Sequence, residues 1–202
     1  MTNDELQVRL QRIYAAVDAV IETNIRKAKP VVRSDENISI FFQDFRGGLS
    51  DAEMENMAYS FIHNLANLRD HIRNWMKKNG RNPNQIDTFI STTLPVAIIQ
   101  DLSNNDKHGY PPRNLGFSGK SPKLVNVNRI MQLNTGTEPG SSVLVTFTPS
   151  CKQRVSGSGS ATLVITGDIL DIRGNVIGNL HIIQNDALNA WEGFLRSLGL
   201  LK

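Results

Sequence analysis

Two short stretches concentrate the groups that could do chemistry. One is Asp101-Leu102-Ser103-Asn104-Asn105-Asp106-Lys107-His108-Gly109, and the other is Asn64-Leu65-Ala66-Asn67-Leu68-Arg69-Asp70-His71. Together they hold two of the four histidines in the chain, each beside a carboxylate and asparagines. An imidazole titrates near pH 6.5 when unperturbed (about), and a neighbouring carboxylate orients the ring and supports its charged form. A cation such as Lys107 or Arg69 would stabilise charge developing on a phosphorane. A base, an acid and a positive group are the parts of a metal-independent ribonuclease. The candidate catalytic residues are therefore His108, His71, Asp70, Lys107 and Asp106, with Asn64, Asn67 and Asn105 as hydrogen-bonding partners. The same residue types also build buried networks that fix how two helices dock, and the sequence leaves both readings open.

Other chemistries find less support. Asp70 and His71 are adjacent, so they point in different directions on a helix, and no HExxH or comparable metal-ligand spacing is present. No Gly-x-Ser-x-Gly elbow occurs for a serine hydrolase. Ser156-Gly157-Ser158-Gly159-Ser160 lacks the Lys-Ser/Thr ending of a phosphate-binding loop. The single Cys151 excludes an intramolecular disulfide and a cysteine-rich zinc site, and reads as a small buried hydrophobe. No metal and no cofactor is expected.

The polar stretches must be carried by helices. Thr2 and Glu5 match a capping box, after which Leu6, Leu10, Ile13, Val17, Val20, Ile21 and Ile25 mark one apolar face of a helix running to about Lys29. Ile38, Ile40 and Phe42 alternate but Phe41 and Phe45 break the period, so residues 30 to 50 read as an apolar connector. Ser50 and Glu53 open a second helix that runs to Gly80. Its apolar face is Met54, Met57, Phe61, Leu65, Leu68, Ile72 and Trp75; His63, Asn67, Asp70 and Asn74 lie opposite, with Asn64 and His71 on the border. Asn82-Pro83 starts a third helix carrying Ile86, Phe89 and Ile90, and Pro95 opens a fourth. On the fourth, Ile98, Ile99 and Leu102 form the apolar stripe and Asp101, Asn105 and His108 a polar one beside it.

Beyond Gly109 the pattern changes to strands. Val125, Val127, Met131 and Leu133 alternate, as do Val143, Val145 and Phe147; Leu163, Ile165, Ile169 and Ile172 follow, and Gly174-Asn175 supplies a turn. Gln153 to Ser160 reads as a flexible loop. A last helix from about Asn179 to Leu198 carries Ile183, Ala187, Leu188, Trp191, Phe194 and Leu195 and should cover the sheet. Trp75 and Trp191 read as core anchors. The expected fold is α+β: a helical bundle over residues 1–112, then a small antiparallel sheet with its covering helix over 113–202, two parts able to share one core.

The 202 residues have a formal charge of +3, a 40% hydrophobic fraction and 20% charged residues, a globular composition. No apolar run approaches the ~20 residues that span a bilayer, and the acidic, polar start is unlike a signal peptide; a cytoplasmic protein without a membrane partner is expected. The charge is uneven. Between Lys107 and Gly167 seven cations stand against the single Glu138. Such a basic segment attracts phosphates, and the loop from Gly109 to Lys123 mixes Tyr110 and Phe117 with Arg113, Lys120 and Lys123, which could combine stacking with backbone contacts.

A long helix with Asn-Leu-x-x-Leu-Arg-Asp-His, followed by one ending in Asn-x-Asp-Lys-His, resembles the HEPN superfamily, particularly bacterial members with an Asp-His and an Asp-Lys-His pair. The resemblance covers roughly residues 1–112 and rests on Asn67, Asp70, His71, Asn105, Asp106, Lys107 and His108. It implies a helical bundle, commonly a homodimer, whose active members cleave RNA without metal in toxin, defence or RNA-processing systems. Their signature places an arginine five to seven positions before a histidine. Ser103 and Leu102 stand at such distances before His108, and Lys107 is adjacent to it. The expected function is accordingly that of a binding or interaction protein with a polar Asp/Asn/His site between helices, with RNA or another phosphate-bearing molecule as partner. The alternative is a metal-independent ribonuclease or other phosphate-transferring enzyme.

Overall fold

The structure is a computed structural model that describes residues 3–22, 30–34, 39–109, 114–147 and 153–201. It is α+β, as the patterning predicts. Helix α1 (Asn3–Val20) buries Leu10 and Ile13 from the expected stripe. It stops nine residues short of Lys29. Strand β1 (Ile21–Glu22) follows directly and pairs antiparallel with Val164 and Leu163, a use of the β-branched Val20-Ile21 pair that suits a pleated surface better than a helix. Thr2, Ile25 and Lys29 lie outside the described residues. The stretch read as a connector is a hairpin, β2 (Pro30–Ser34) against β3 (Ser39–Gln43), in the register Val31↔Phe42 and Arg33↔Ile40. Its run of β-branched and aromatic residues favours strands even where period-two alternation is imperfect.

The capping box at Ser50 and Glu53 is formed: each side chain accepts a bond from the other's backbone N–H, at 3.3 and 2.8 Å. Helix α2 (Asp51–Ala66) meets α3 (Leu68–Lys78) at Asn67, so the long second helix is two abutting segments. Helix α3 ends at Gly80 (φ +66), where Arg81 N–H donates to Met76 O and Gly80 N–H to Lys77 O, closing the last carbonyls in a Schellman pattern. Asn82 caps α4 (Asn84–Thr92) by accepting from the Asn84 N–H. Helix α5 (Leu94–His108) carries Pro95 in its first turn and ends at Gly109.

Helix α5 is the centre of the molecule. Every residue from Val96 to Ser103 is buried, including Gln100, Asp101 and Ser103, so it packs on all sides rather than along one stripe. It is enclosed by α2, α4, α6 and the start of β4.

Strand β7 (Ser160–Leu170) plays the same central role in the sheet. Along one edge it pairs antiparallel with β4 (Lys123–Asn134), from Lys123↔Leu170 to Asn134↔Ser160. Along the other it pairs with β1 at Leu163-Val164 and with β8 (Val176–Asn179) at Asp168–Leu170. A bulge between Val125 and Asn128 changes the phase of β4: Leu124 is buried before it and Val127 packs on the core after it. One inserted residue exchanges the faces of a strand, so Leu124 faces inward before the bulge and Val127 and Met131 of the expected alternation after it, while Leu133 is exposed. Gln153–Gly157, expected as a flexible loop, is strand β6, paired with β5 (Val143–Phe147). Its glycines serve close approach: a Cβ on Gly157 would overlap the Ser142 backbone carbonyl, and one on Gly159 that of Asn134.

Helix α6 (Leu180–Ser197) begins where expected. The Asn179 side chain accepts from the His181 N–H at 3.0 Å and from Thr166 Oγ1 at 2.5 Å, tying the helix start to β7. Its buried face of Ile183, Ala187, Trp191 and Leu195 joins one apolar cluster with α1–α5 and the inner residues of β4 and β7. Trp75 and Trp191 are both buried in it. The chain ends are tied across this core, Tyr14 donating to Glu192 at 2.6 Å and Gln7 to Leu200 O at 2.9 Å. Among the described residues no helix is long and apolar enough to cross a membrane.

Candidate binding site at the α5–β4 seam

The polar stripe of α5 does meet α2, but through a histidine other than the expected one. His63 Nδ1 lies 2.9 Å from Ser103 Oγ, and His63 Nε2 lies 2.8 Å from Asp106 Oδ2. One turn along, Lys107 Nζ donates to Asn67 Oδ1 at 3.1 Å. His63 and Asn67 are four apart on α2, and Ser103, Asp106 and Lys107 fall at helical spacing on α5, so the pairs stack along one seam. The triad-like order Ser103–His63–Asp106 is not a hydrolytic one, because Ser103 is fully buried and presents no nucleophile to a substrate.

Asp101 sits on the far side of α5 from this seam's opening and does structural work. Its carboxylate accepts from Phe117 N–H and Ser118 N–H, both at 2.8 Å, and from Ser118 Oγ at 2.6 Å. Gly116 (φ +77) lets the loop close over it, since a Cβ there would overlap the carboxylate. Complete burial pushes the Asp101 pKa up, opposed by the bonds from Ser118 and Phe117. Phe117 is correspondingly held against the core with the Arg69 guanidinium 5.3 Å above its ring, a loop anchor and not a stacking platform. Asp87 receives Arg69 and Arg73; its partial burial is outweighed by their bonds and charge, which hold its pKa down.

The loop pinned by Asp101 and the start of β4 form one wall of a cavity of about 450 Å³. Tyr59, Leu102, Asn105, Asp106, Ser121 and Lys123 line it, with Gly109, Pro122, Asp171 and Ile172 completing the rim. Asn105 spends its amide N–H on Pro122 O at 2.9 Å, which leaves its Oδ1 buried without a partner among the described residues. Ser121 Oγ is buried in the same state. Ser121 itself adopts φ +46, a left-handed conformation that costs a non-glycine residue of order 1 kcal/mol. Burial, then the charges of Asp106 and Glu55, raises the Tyr59 pKa, so its phenol stays a neutral donor and acceptor.

The remaining predicted residues go elsewhere. His71 lies against α1, its Nε2 2.9 Å from Arg9 Nη1, and burial followed by the Arg9 charge lowers its pKa. Asp70 is exposed, with only a 4.0 Å approach to Arg69. His108 is exposed on the last turn of α5, Asn64 bonds back to Ser60 O of its own helix, and Lys120 is half-buried in the loop. Arg113, Tyr110 and Cys151 lie outside the described residues. Asn67, Asn105, Asp106, Lys107 and Lys123 are thus brought to the seam, while His71, Asp70 and Asn64 are not. Sequence reasoning missed His63, Ser103, Tyr59 and Ser121; the signal for the first two was the stripe His63–Asn67 facing Ser103–Lys107. Among the described residues no three His, Cys, Asp or Glu side chains converge as metal ligands. The chain matches no family model, no curated protein and no solved structure in comparisons with each.

Proposed function

We propose that this is a binding protein, not a nuclease, and that its α5–β4 cavity holds a small polar ligand. The observation that carries this reading is how His63 is used: its ring nitrogens meet Asp106 and a fully buried Ser103, so the imidazole joins α2 to α5 and the hydroxyl it could activate is out of a substrate's reach. The HEPN-like motifs at 67–71 and 105–108 then serve docking, with Asp106 and Lys107 clamping α5 to α2. The ligand's chemistry follows from the cavity wall. Asp106 and Asp171 outnumber Lys123, and Tyr59 supplies a hydroxyl. This set suits a molecule presenting N–H donors, an amine or the donor edge of a nucleobase.

Two measurements test it together. RNA incubated with the protein in EDTA should remain intact, and cleavage by the folded protein that is lost in His108→Ala would overturn the reading. In a thermal-shift panel of polyamines, nucleosides and free amino acids, an N–H-donor ligand should raise the melting temperature. Tyr59→Phe should weaken that ligand about tenfold, the worth of one hydrogen bond at about 1.4 kcal/mol. No shift from any of the three classes would sink the cavity assignment.

A further inference from the structure

A second concavity, of about 680 Å³, lies between α1 and α3, and its chemistry is the opposite of the seam cavity's. Arg9 and Arg12 project from α1, and Lys77 and Lys78 from the last turn of α3, with His71 and Asn74 between them. Glu5 is the one carboxylate among the described lining residues, so four cations face it and three positive charges remain in excess whatever pairs it makes. The lysines alone would have a simple explanation, since cations at a helix C-terminus complement the helix dipole. The arginines have none, for they stand in the middle of α1. Four other arginines are matched by acids: Arg46 by Asp51, Arg69 and Arg73 by Asp87, Arg196 by Glu192. Arg9 is steadied by the imidazole of His71, which orients its guanidinium without adding a negative charge.

From this we infer that the α1–α3 cleft is a site for a ligand carrying two or more adjacent phosphates. The cleft presents planar guanidinium forks, suited to bidentate contact with phosphate oxygens, on one wall and ammonium groups on the other. A run of linked phosphates reaches both walls at once, where a single carboxylate would not. No Phe, Tyr or Trp is among the described lining residues, and the His71 ring is engaged by Arg9, so recognition goes through phosphate and not through stacking on a base. None of the cleft's four cations comes from the basic segment between Lys107 and Gly167, in which Lys107 donates to Asn67 and Arg129 to the Arg46 carbonyl.

The test is a titration of the full chain with inorganic tripolyphosphate and, separately, with a single-stranded oligothymidylate, at several salt concentrations. Tripolyphosphate should bind, and Arg12→Glu and Lys78→Gln, both at exposed positions, should each weaken it, the first at least tenfold, with the protein still folded at the temperature of the titration. Arg154→Glu, the same charge change on β6, should leave affinity within about twofold, which separates a local site from net charge. Oligothymidylate binding with the same variant pattern, and a salt slope falling by about 0.7 per phosphate contact removed, would identify a strand as the source of the phosphates. Binding of tripolyphosphate alone would identify a small polyphosphate. The inference fails if neither probe binds, or if Arg154→Glu weakens binding as much as Arg12→Glu. Ser121→Ala, on the other cavity, should not change any of these values.

Discussion

At the scale of single residues, the histidines divide by what their rings touch. His63 is committed to Ser103 and Asp106 across two helices. His71 and His181 have their pKa values lowered from 6.5, His71 by burial and then by Arg9, and His181 by burial. The consequence for stability has a definite sign. Between the lowered folded value and 6.5 the folded chain binds fewer protons than the unfolded chain, so stability is complete above pH 6.5 and is lost as pH falls towards the folded values. Melting temperature should therefore drop between pH 7.5 and pH 5.5. Arg9→Gln removes one of the two causes acting on His71 and should make that drop smaller. A drop unchanged in Arg9→Gln would show that Arg9 does not hold His71 neutral.

At the scale of elements, caps and turns decide where helices begin and which strands they leave from. Asn179 is the clearest case, because one side-chain oxygen accepts from both the α6 backbone at His181 and Thr166 of β7. Asn179→Ala leaves an N–H and a buried hydroxyl without their acceptor, at a cost of about 1–2 kcal/mol. Asn179→Asp keeps both acceptor bonds and should lose much less. Urea unfolding midpoints of the two variants make the comparison, and equal losses would mean that the amide N–H matters more than the oxygen. The α5–β4 seam depends on the same kind of local fixing, through Asp101 on the 117–118 backbone and Asn105 on Pro122.

At the scale of the whole molecule, the first helix and the last are parts of one structure. Leu10 and Ile13 of α1, the buried length of α5, and Leu180, Ile183 and Trp191 of α6 belong to one apolar cluster. A fragment of residues 1–112 would expose the face of α5 that α6 covers, along with the Phe89 side chain that stacks on Phe194 at 4.3 Å. It should show no cooperative thermal transition by circular dichroism, while the full chain shows one. A cooperative transition in the fragment would mean that the helical part carries a sufficient core of its own.

The sequence by itself determined the class of the fold, the helix starts at Ser50, Asn82 and Asn179, the helix end at Gly80, and the apolar faces of α2, α3 and α6. All of these rest on interactions between residues a few positions apart, which spacing records directly. It marked Asn105, Asp106 and Lys107 as chemically unusual for the same reason. Only the tertiary structure decided that His63 rather than His71 meets them, since a helix carrying polar groups on two faces does not specify which face a neighbour will cover. It also decided that Asp101 turns inward to a loop, that Ile21 leaves a helix to pair with β7, and that a bulge changes the phase of β4. Most distant from sequence pattern is the α1–α3 cleft, whose two pairs of cations, Arg9 with Arg12 and Lys77 with Lys78, stand more than sixty residues apart. Their charges add only because the fold brings α1 and α3 to the two walls of one cleft.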